Sequence, residues 1–408
     1  MSTATAPAAP PAPGGTVIDA LGLLAEVGEE LVLATVRDTH LAIAQRAHGL
    51  ATRGTLGLGA LPQAAHLGIA RGVYAGIGLG LRGAGRGLDR VAATGHGPAL
   101  DATRGGRLAT AAVNGLIGDR LAERRPELAI PLAVRVGGRD VWPDADELAA
   151  AFPAAGPRVA VLVHGLCEDD EVWGDAAPAP APDGVARPRV RYPEVLRALG
   201  WTVVVLRLNT GLPVRENGAA LSALLDRLLA HWPVPLERFA LIGHSMGGLV
   251  IRAASAVRDP ARPDGLPAWA GRVGDVVTLA TPHHGAPLAW GVGHGSRALA
   301  RLPETAAFGR ILDWRSRGVH DLVVGLGEEV PPLPGVSYRL VSACLTTRRH
   351  PVGHALGDLL VRTRSAQAVD RAGRRLFPGA ETVHLDHTDH FGVLAHPEVA
   401  AHLRRWLA

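Results

Sequence analysis

Phe239-Ala240-Leu241-Ile242-Gly243-His244-Ser245-Met246-Gly247-Gly248-Leu249-Val250 is the stretch on which the reading of this chain turns. It opens as an apolar run with the length and composition of a buried strand. It passes at once into G-x-S-x-G, Gly243 to Gly247, and then into residues that can continue as a helix. A strand that turns directly into a helix leaves little room for side chains beside the serine, hence the glycines. The turn lifts the hydroxyl of Ser245 above the sheet edge. It also aims a helix N-terminus, with its free N–H groups and partial positive charge, at whatever the serine attacks. Ser245 is therefore the candidate nucleophile. In a chain with 51 glycines the pattern alone is weak, and the flanking strand and helix give it weight.

Serine is a poor nucleophile without a base to take its proton and a third group to orient that base. A serine on such an elbow takes its partners in the chain order Ser, then Asp or Glu, then His. The base is sought late, where Val383 to Leu394 offers His384, His387 and His390. His384 falls within an expected strand. His390 is preferred because it comes last and precedes Phe391 and the closing helix, which sets it on a loop above the sheet. His387 is the rival. The acid should follow the expected strand Tyr338 to Ala343, and Gly357-Asp358-Leu359-Leu360-Val361 supplies Asp358. Asp370, Asp386 and Asp389 are the other carboxylates of that region. Of the two N–H donors an oxyanion needs, one belongs to Met246, after the nucleophile. The other is placed on Leu166, since Val161-Leu162-Val163-His164-Gly165-Leu166-Cys167 ends a strand in a tight His-Gly turn. His164 reads as a loop-shaping group.

Around these motifs, apolar strand, loop and helix alternate from Pro131 onward. A hairpin turning at Gly137-Gly138 comes first, then strands at Val159 to Val163, Thr202 to Leu206, Val273 to Ala280 and Tyr338 to Ala343. A helix is expected over Gly218 to His231, and a closing helix runs from His396 to Leu407 with Val399, Leu403, Trp406 and Leu407 on its buried face. Alternation of this kind implies an α/β domain: a mostly parallel sheet with helices on both faces. Ala176 to Pro188 is a Pro/Ala-rich excursion, and residues 286–334, mixing apolar side chains with arginines, suit a cap insertion over the serine.

His164-Gly165-Leu166, Gly243-His244-Ser245-Met246-Gly247-Gly248, Ala280-Thr281-Pro282-His283-His284-Gly285, Gly357-Asp358 and His390-Phe391, in this order, resemble bacterial lipases and esterases of the α/β-hydrolase superfamily. The similarity is to the group containing the GPI inositol deacylase-like lipases, and it covers residues 131–408. It implies an α/β-hydrolase fold with a cap, a Ser245–Asp358–His390 triad, an oxyanion hole from Leu166 and Met246, and ester substrates, small molecules or lipids, cleaved without a cofactor. His283 and His284 become structural. The same triad would also serve an acyltransferase or an amidase.

The N-terminal third departs from that pattern. Residues 1–15 read as a disordered Ala/Pro/Gly tail, and 16–130 as a helical region. Gly72, Gly76 and Gly80 lie four apart on one helix face, which suggests a smooth surface for close helix packing. A non-catalytic interaction or membrane-scaffold protein acting through these helices is the reading from another class.

Composition narrows the rest. All 42 basic residues counted as Lys or Arg are arginine, which with 31 prolines reads as GC-rich coding bias. A net charge of +4, scattered arginines and 4% aromatics give nucleic-acid binding little support. Cys167 and Cys344 offer neither a disulfide framework nor metal-ligand spacing. His350 and His354 are interrupted by Pro351 and Gly353, and no metal is expected. No secretory signal is visible and Arg71 and Arg82 interrupt the best apolar run, so a cytoplasmic protein is expected, with peripheral membrane contact left open.

Overall fold

The first strand pair forms where two glycines permit a tight reversal: Gly137 and Gly138 hold φ of +57° and +76°, the left-handed pair that two-residue hairpins need. This turn joins β1 (Ala133–Val136) to β2 (Arg139–Val141). A computed structural model describes residues 15–34, 36–38, 40–41, 44–45, 60–95, 97–174, 190–286, 315–326, 330–347 and 357–408. The expected tail, the Pro/Ala-rich excursion, most of the expected cap and the pair His350 and His354 lie outside the described residues.

Six further strands follow: β3 (Arg158–Val163), β4 (Thr202–Arg207), β5 (Arg238–His244), β6 (Val273–Leu279), β7 (Ser337–Ala343) and β8 (Glu381–Leu385). Together they make one sheet in the order β2-β1-β4-β3-β5-β6-β7-β8. β1 is antiparallel to β2 and β4, and every pairing from β4 to β8 is parallel. Parallel strands covered on both faces must be apolar throughout, which explains the unbroken runs of β3 and β5. Successive side chains still alternate between two cores. Val159, Val161, Val163 and Leu241 enter one, and Ala160, Leu162, Ala240 and Ile242 the other.

Helices bring the apolar stripes that cover both faces. α1 (Val17–Val27), α2 (Ala60–Ala92), α3 (Arg104–Arg124) and α4 (Ala145–Ala151) precede or interrupt the first strands. α5 (Tyr192–Ala198), α6 (Val214–Ala230), α7 (Met246–Ser255), α8 (Arg317–Val324), α9 (Thr363–Ala366) and α10 (Pro397–Leu407) follow. Leu221, Leu225 and Leu228 of α6 join Leu249 and Val250 of α7 in the first core. Val195 and Leu196 of α5 meet Val399, Leu403 and Trp406 of α10 in the second. The indole of Trp201 donates to the carbonyl of Leu407 at 2.8 Å, pinning the chain's last turn beside the start of β4.

Among the described residues, those from 108 to 286 and from 316 to 408 make one compact unit and those from 15 to 107 another. In the second, Thr16 and Asp19 form a capping box at the start of α1. α1 continues into a wider π-helical segment, Gly28–Leu33, and packs on α2. The contact runs along Gly78, which faces Glu29 and Leu33, and Gly85, whose missing Cβ would lie 3.8 Å from Ala25. The stripe Gly72, Gly76 and Gly80 is exposed, and among the described residues nothing lies within 4 Å of a Cβ placed there. The close-packing face is thus the offset row, seven residues apart, and not the four-residue repeat. Leu21, Leu24, Ile69, Val73, Ile77 and Leu79 are also exposed. No described helix is long and apolar enough to cross a membrane.

Leu403 is fully buried between α10 and the sheet. Leu403→Ala should lower stability by about 2–5 kcal/mol, read as a fall in the urea midpoint at unchanged slope. A loss below about 0.5 kcal/mol would mean α10 adds little to the second core.

Candidate active site

The elbow sits between β5 and α7 and is strained. Ser245 has φ +50° and ψ −121°, a left-handed backbone that costs a non-glycine residue on the order of 1–3 kcal/mol. Its surroundings hold it there: its amide donates to the carbonyl of Leu279 at 2.8 Å, and Gly248 donates to its carbonyl at 3.2 Å. The glycines answer to crowding. A Cβ on Gly243 would lie 2.6 Å from the Gly248 nitrogen, and one on Gly247 would lie 2.3 Å from the Val163 carbonyl oxygen. Strand end and helix start are therefore pressed together, and β3 ends directly against the helix.

Behind the elbow, Ala280 adopts φ +51° and Thr281 stands where any side chain on Gly248 would go, 2.1 Å from such a Cβ. His283 is fully buried, with Nε2 3.3 Å from the Thr278 hydroxyl and its ring edge-on to Phe377. Burial, aided by the charge of Arg252, pushes its pKa well below the ordinary 6.5, so it is a neutral packing group.

The structure brings His390, and not His387, to Asp358. His390 Nδ1 lies 2.9 Å from Asp358 Oδ2, and the amide of His390 donates to the Asp358 carbonyl at 3.1 Å. Asp358 is itself fixed by a tight turn in which Gly357 has φ +60° and Leu359 φ +88°. Its second oxygen accepts from the amides of Leu360 (3.0 Å) and Val361 (2.8 Å). The rival carboxylates go elsewhere: Asp370 pairs with Arg374, and Asp389 caps Gly392. His387 follows β8 with φ +49°, its amide on the Thr346 carbonyl.

Ser245 and His390 line one cleft of about 280 Å³ with Leu166, Glu168, Ala286, Val319, Leu322, Leu360, Val361 and Phe391. Among the described residues neither the Leu166 nor the Met246 N–H has an acceptor. The cleft is apolar apart from the serine, the imidazole and one carboxylate. Of the expected cap, α8 contributes Val319 and Leu322 to it.

Residues 222–296 match the family described as a PGAP1-like alpha/beta domain. The sheet order, the strained serine between β5 and α7, and the acid and histidine after β7 and β8 decide the architecture. The fold is that of an α/β hydrolase. Among solved structures, the chain is similar to the mature lipase BlEst2 of Bacillus licheniformis, at 20% identity and a TM-score of 0.41, covering 62% of this chain and 93% of that one. The metagenomic carboxyl esterase MGS0156 is 17% identical with a TM-score of 0.36, over 62% of this chain and 75% of that one. The Pyrococcus furiosus esterase Pf2001 is 17% identical with a TM-score of 0.37, over 62% and 83%. No curated protein sequence matches the chain.

No sequence motif singles out one further residue of this cleft. Glu168 is buried, and a single oxygen, Oε2, accepts from the Gly165 amide at 2.5 Å and meets His244 Nδ1 at 2.9 Å. His244 in turn points Nε2 at the His390 carbonyl, 3.2 Å away, with the two rings 4.8 Å apart. In sequence Glu168 begins the acidic run Glu168-Asp169-Asp170-Glu171, which looks like a solvated loop. Only its place three residues after Gly165 hints that it turns inward.

Electrostatics follow from these contacts. Burial alone would raise the Glu168 carboxyl, but the charge and hydrogen bond of His244 and the Gly165 amide outweigh it and hold the group below its ordinary range. Burial would likewise lower His390, yet the Asp358 charge and hydrogen bond, with Glu168 and Asp389 adding to them, bring its pKa above 6.5. His164 is the opposite case. Burial lowers it, and it stays neutral with Nδ1–H on the Gly165 carbonyl and Nε2 accepting from Leu208.

Glu168→Gln keeps the shape and removes one charge that favours the imidazolium. The His390 imidazole signal, followed by NMR against pH, should titrate above 6.5 in the wild type and at lower pH in the variant. Asp358→Asn should lower it further. An unmoved midpoint in Glu168→Gln would remove Glu168 from the electrostatics of the site.

Proposed function

We propose that this protein is a serine hydrolase that cleaves carboxylic esters bearing an apolar acyl group. The observation that carries the reading is the buried His390–Asp358 pair at 2.9 Å, opening with Ser245 onto one apolar cleft. Asp358 accepts from Nδ1–H and so leaves the Nε2 lone pair of His390 to act as base. His390 takes the hydroxyl proton of Ser245 as Oγ attacks the ester carbonyl. The amides of Leu166 and Met246 receive the oxyanion, the alcohol leaves with the proton from His390, and water hydrolyses the acyl-enzyme by the same steps.

The lining by Leu166, Val319, Leu322, Leu360, Val361 and Phe391 favours an acyl chain over a charged or sugar-like group. Lipase and esterase are the activities named for the similar structures, and that agrees with the reading. It needs no cofactor.

Labelling with a fluorophosphonate probe tests it. The wild type should label, and Ser245→Ala and His390→Ala should not. Hydrolysis of p-nitrophenyl esters should fall on the order of 10⁶-fold in Ser245→Ala and 10⁴-fold in Asp358→Asn. The base must be neutral, so kcat/KM should drop as pH falls through the raised pKa of His390, giving an acid limb centred above 6.5. A folded wild type that neither labels nor hydrolyses any ester would overturn the enzymatic reading and favour the scaffold alternative. Acyl transfer to an added alcohol in preference to water would mark an acyltransferase.

A further inference from the structure

Cys344, His384 and Asp386 converge at the C-terminal ends of β7 and β8, on residues the proposed chemistry does not use. Their meeting follows from register. Ser342 pairs with His384 and Ala343 with Leu385, so the next pair in this parallel ladder is Cys344 with Asp386. Side chains two apart share a face, and Ser342, Cys344, His384 and Asp386 therefore form a square on one side of the sheet. Cys344 Sγ lies 3.4 Å from His384 Nε2 and 3.9 Å from Asp386 Oδ1, and His384 Nε2 lies 3.5 Å from the same oxygen.

The fourth corner can hold the tautomer that a metal needs. The Ser342 hydroxyl can donate to the Val383 carbonyl at 3.2 Å and accept from the Gln367 amide at 3.0 Å. Its remaining lone pair takes Nδ1–H of His384 at 2.9 Å. With Nδ1–H held in this way, Nε2 is the ring atom that meets a metal; without a metal, the Ser342 hydroxyl can donate to Nδ1 instead and Nε2–H faces the carboxylate. The thiol proton goes to the Thr346 carbonyl at 2.8 Å, while the sulfur and the carboxylate both lie beside Nε2, whereas a catalytic Cys-His-Asp set would place the acid on the other nitrogen. Three donors, one each of sulfur, nitrogen and oxygen, instead surround a common point.

We propose that Cys344, His384 and Asp386 bind a divalent transition metal, Zn²⁺ by preference. Tetrahedral Zn²⁺ with ordinary bond lengths spaces sulfur from nitrogen or oxygen by about 3.5–3.6 Å and nitrogen from oxygen by about 3.4 Å; the S–N and N–O separations found are close to these, and the half-exposed Asp386 would draw in from its 3.9 Å separation to the sulfur. The borderline-soft donor set suits Zn²⁺ over Mg²⁺ or Ca²⁺. Ser342 supplies the outer hydrogen bond that metal-bound histidines usually make. Asp386 is half exposed, which leaves a route from solvent and a fourth position for water. On binding, the metal replaces the thiol proton of Cys344, which passes to solvent.

The position gives the metal a purpose. Leu345 donates to the Gly357 carbonyl at 3.0 Å, Thr388 to the Cys344 carbonyl at 2.8 Å, and His387 to the Thr346 carbonyl at 3.1 Å. A metal at this point ties the roots of the loops that carry Asp358 and His390. The spacing of 40 residues between Cys344 and His384 hides such a site from any short ligand motif.

Full-length protein stripped with a chelator and titrated with Co²⁺ tests the site without reference to ester hydrolysis. The wild type should develop a thiolate-to-cobalt charge-transfer band that saturates at one equivalent and is lost when Zn²⁺ is added. Cys344→Ser should abolish the band. Asp386→Asn, at a half-exposed position that does not threaten folding, should weaken Co²⁺ binding about tenfold or more. Zn²⁺ should raise the Tm of the wild type and leave that of Cys344→Ser unchanged. No band from folded wild type in excess Co²⁺ would overturn the proposal, as would a band of full strength in Cys344→Ser. Ester hydrolysis measured on the same samples is a separate readout, so loss of one reading leaves the other standing.

Discussion

The buried carboxylate of Glu168 is the constraint on which the site depends. One oxygen holds the Gly165 amide and the imidazole of His244, and His244 reaches the backbone of His390. Three loops from three strand ends, those of β3, β5 and β8, are thereby joined through one charge. Burying a carboxylate is costly, and removing its partner leaves an uncompensated charge worth about 3–5 kcal/mol. That penalty makes the arrangement nearly all-or-none: either the β3 loop, the elbow and the histidine loop are all in place, or the carboxylate is stranded. It also explains why the residue before Ser245 is a histidine, held between Glu168 and the His390 backbone.

The second half of α3 belongs to the same economy of position. Ser316 donates its hydroxyl to the Gly115 carbonyl, and Asp119 accepts from the Arg317 amide, so the start of α8 is seated on α3. Asn209 donates to the Gly118 carbonyl, and Cys167 leans on Gly115 so closely that a Cβ there would lie 2.3 Å from its sulfur. Burial in this contact pushes the Cys167 thiol up to about 11, which makes it an inert packing group. α8 then carries Val319 and Leu322 into the cleft. A helix that looks from sequence like the end of an N-terminal extension is thus the support of one wall of the cleft.

What could be read in the sequence was local or ordered. The Gly137-Gly138 turn, the apolar runs of β3 and β5, the glycines around Ser245 and the buried face of α10 each express a rule that acts within a few residues. The order of serine, acid and histidine, with loop placement, favoured His390 but left His387 as a rival, and the structure pairs His390 with Asp358. The remainder was illegible because it depends on register and on long-range contact. Beyond its place three residues after Gly165, nothing in the acidic run says that Glu168 is the member that joins the elbow and the histidine loop. Nothing near Gly72, Gly76 and Gly80 says that the helix turns Gly78 and Gly85 to its neighbour instead. The meeting of Cys344 with Asp386 exists only once β7 and β8 are aligned.

That alignment also accounts for where the candidate site residues gather. In a run of parallel strands every C-terminal end points to the same edge, so each loop that leaves the sheet there can reach its neighbours. β3 delivers Leu166 and Glu168, β5 delivers Ser245, β7 leads to Asp358 and β8 to His390. A shift of β8 by one residue would move His384 and Asp386 to the opposite face, because side chains alternate along a strand. It would also displace Thr388 from the Cys344 carbonyl, and with it the loop that brings His390 to Asp358. The Ser342–His384 pairing therefore fixes two things at once, the cross-strand cluster and the reach of the histidine. The geometry of the cleft is inherited from the register of two strands that contribute no side chain to it.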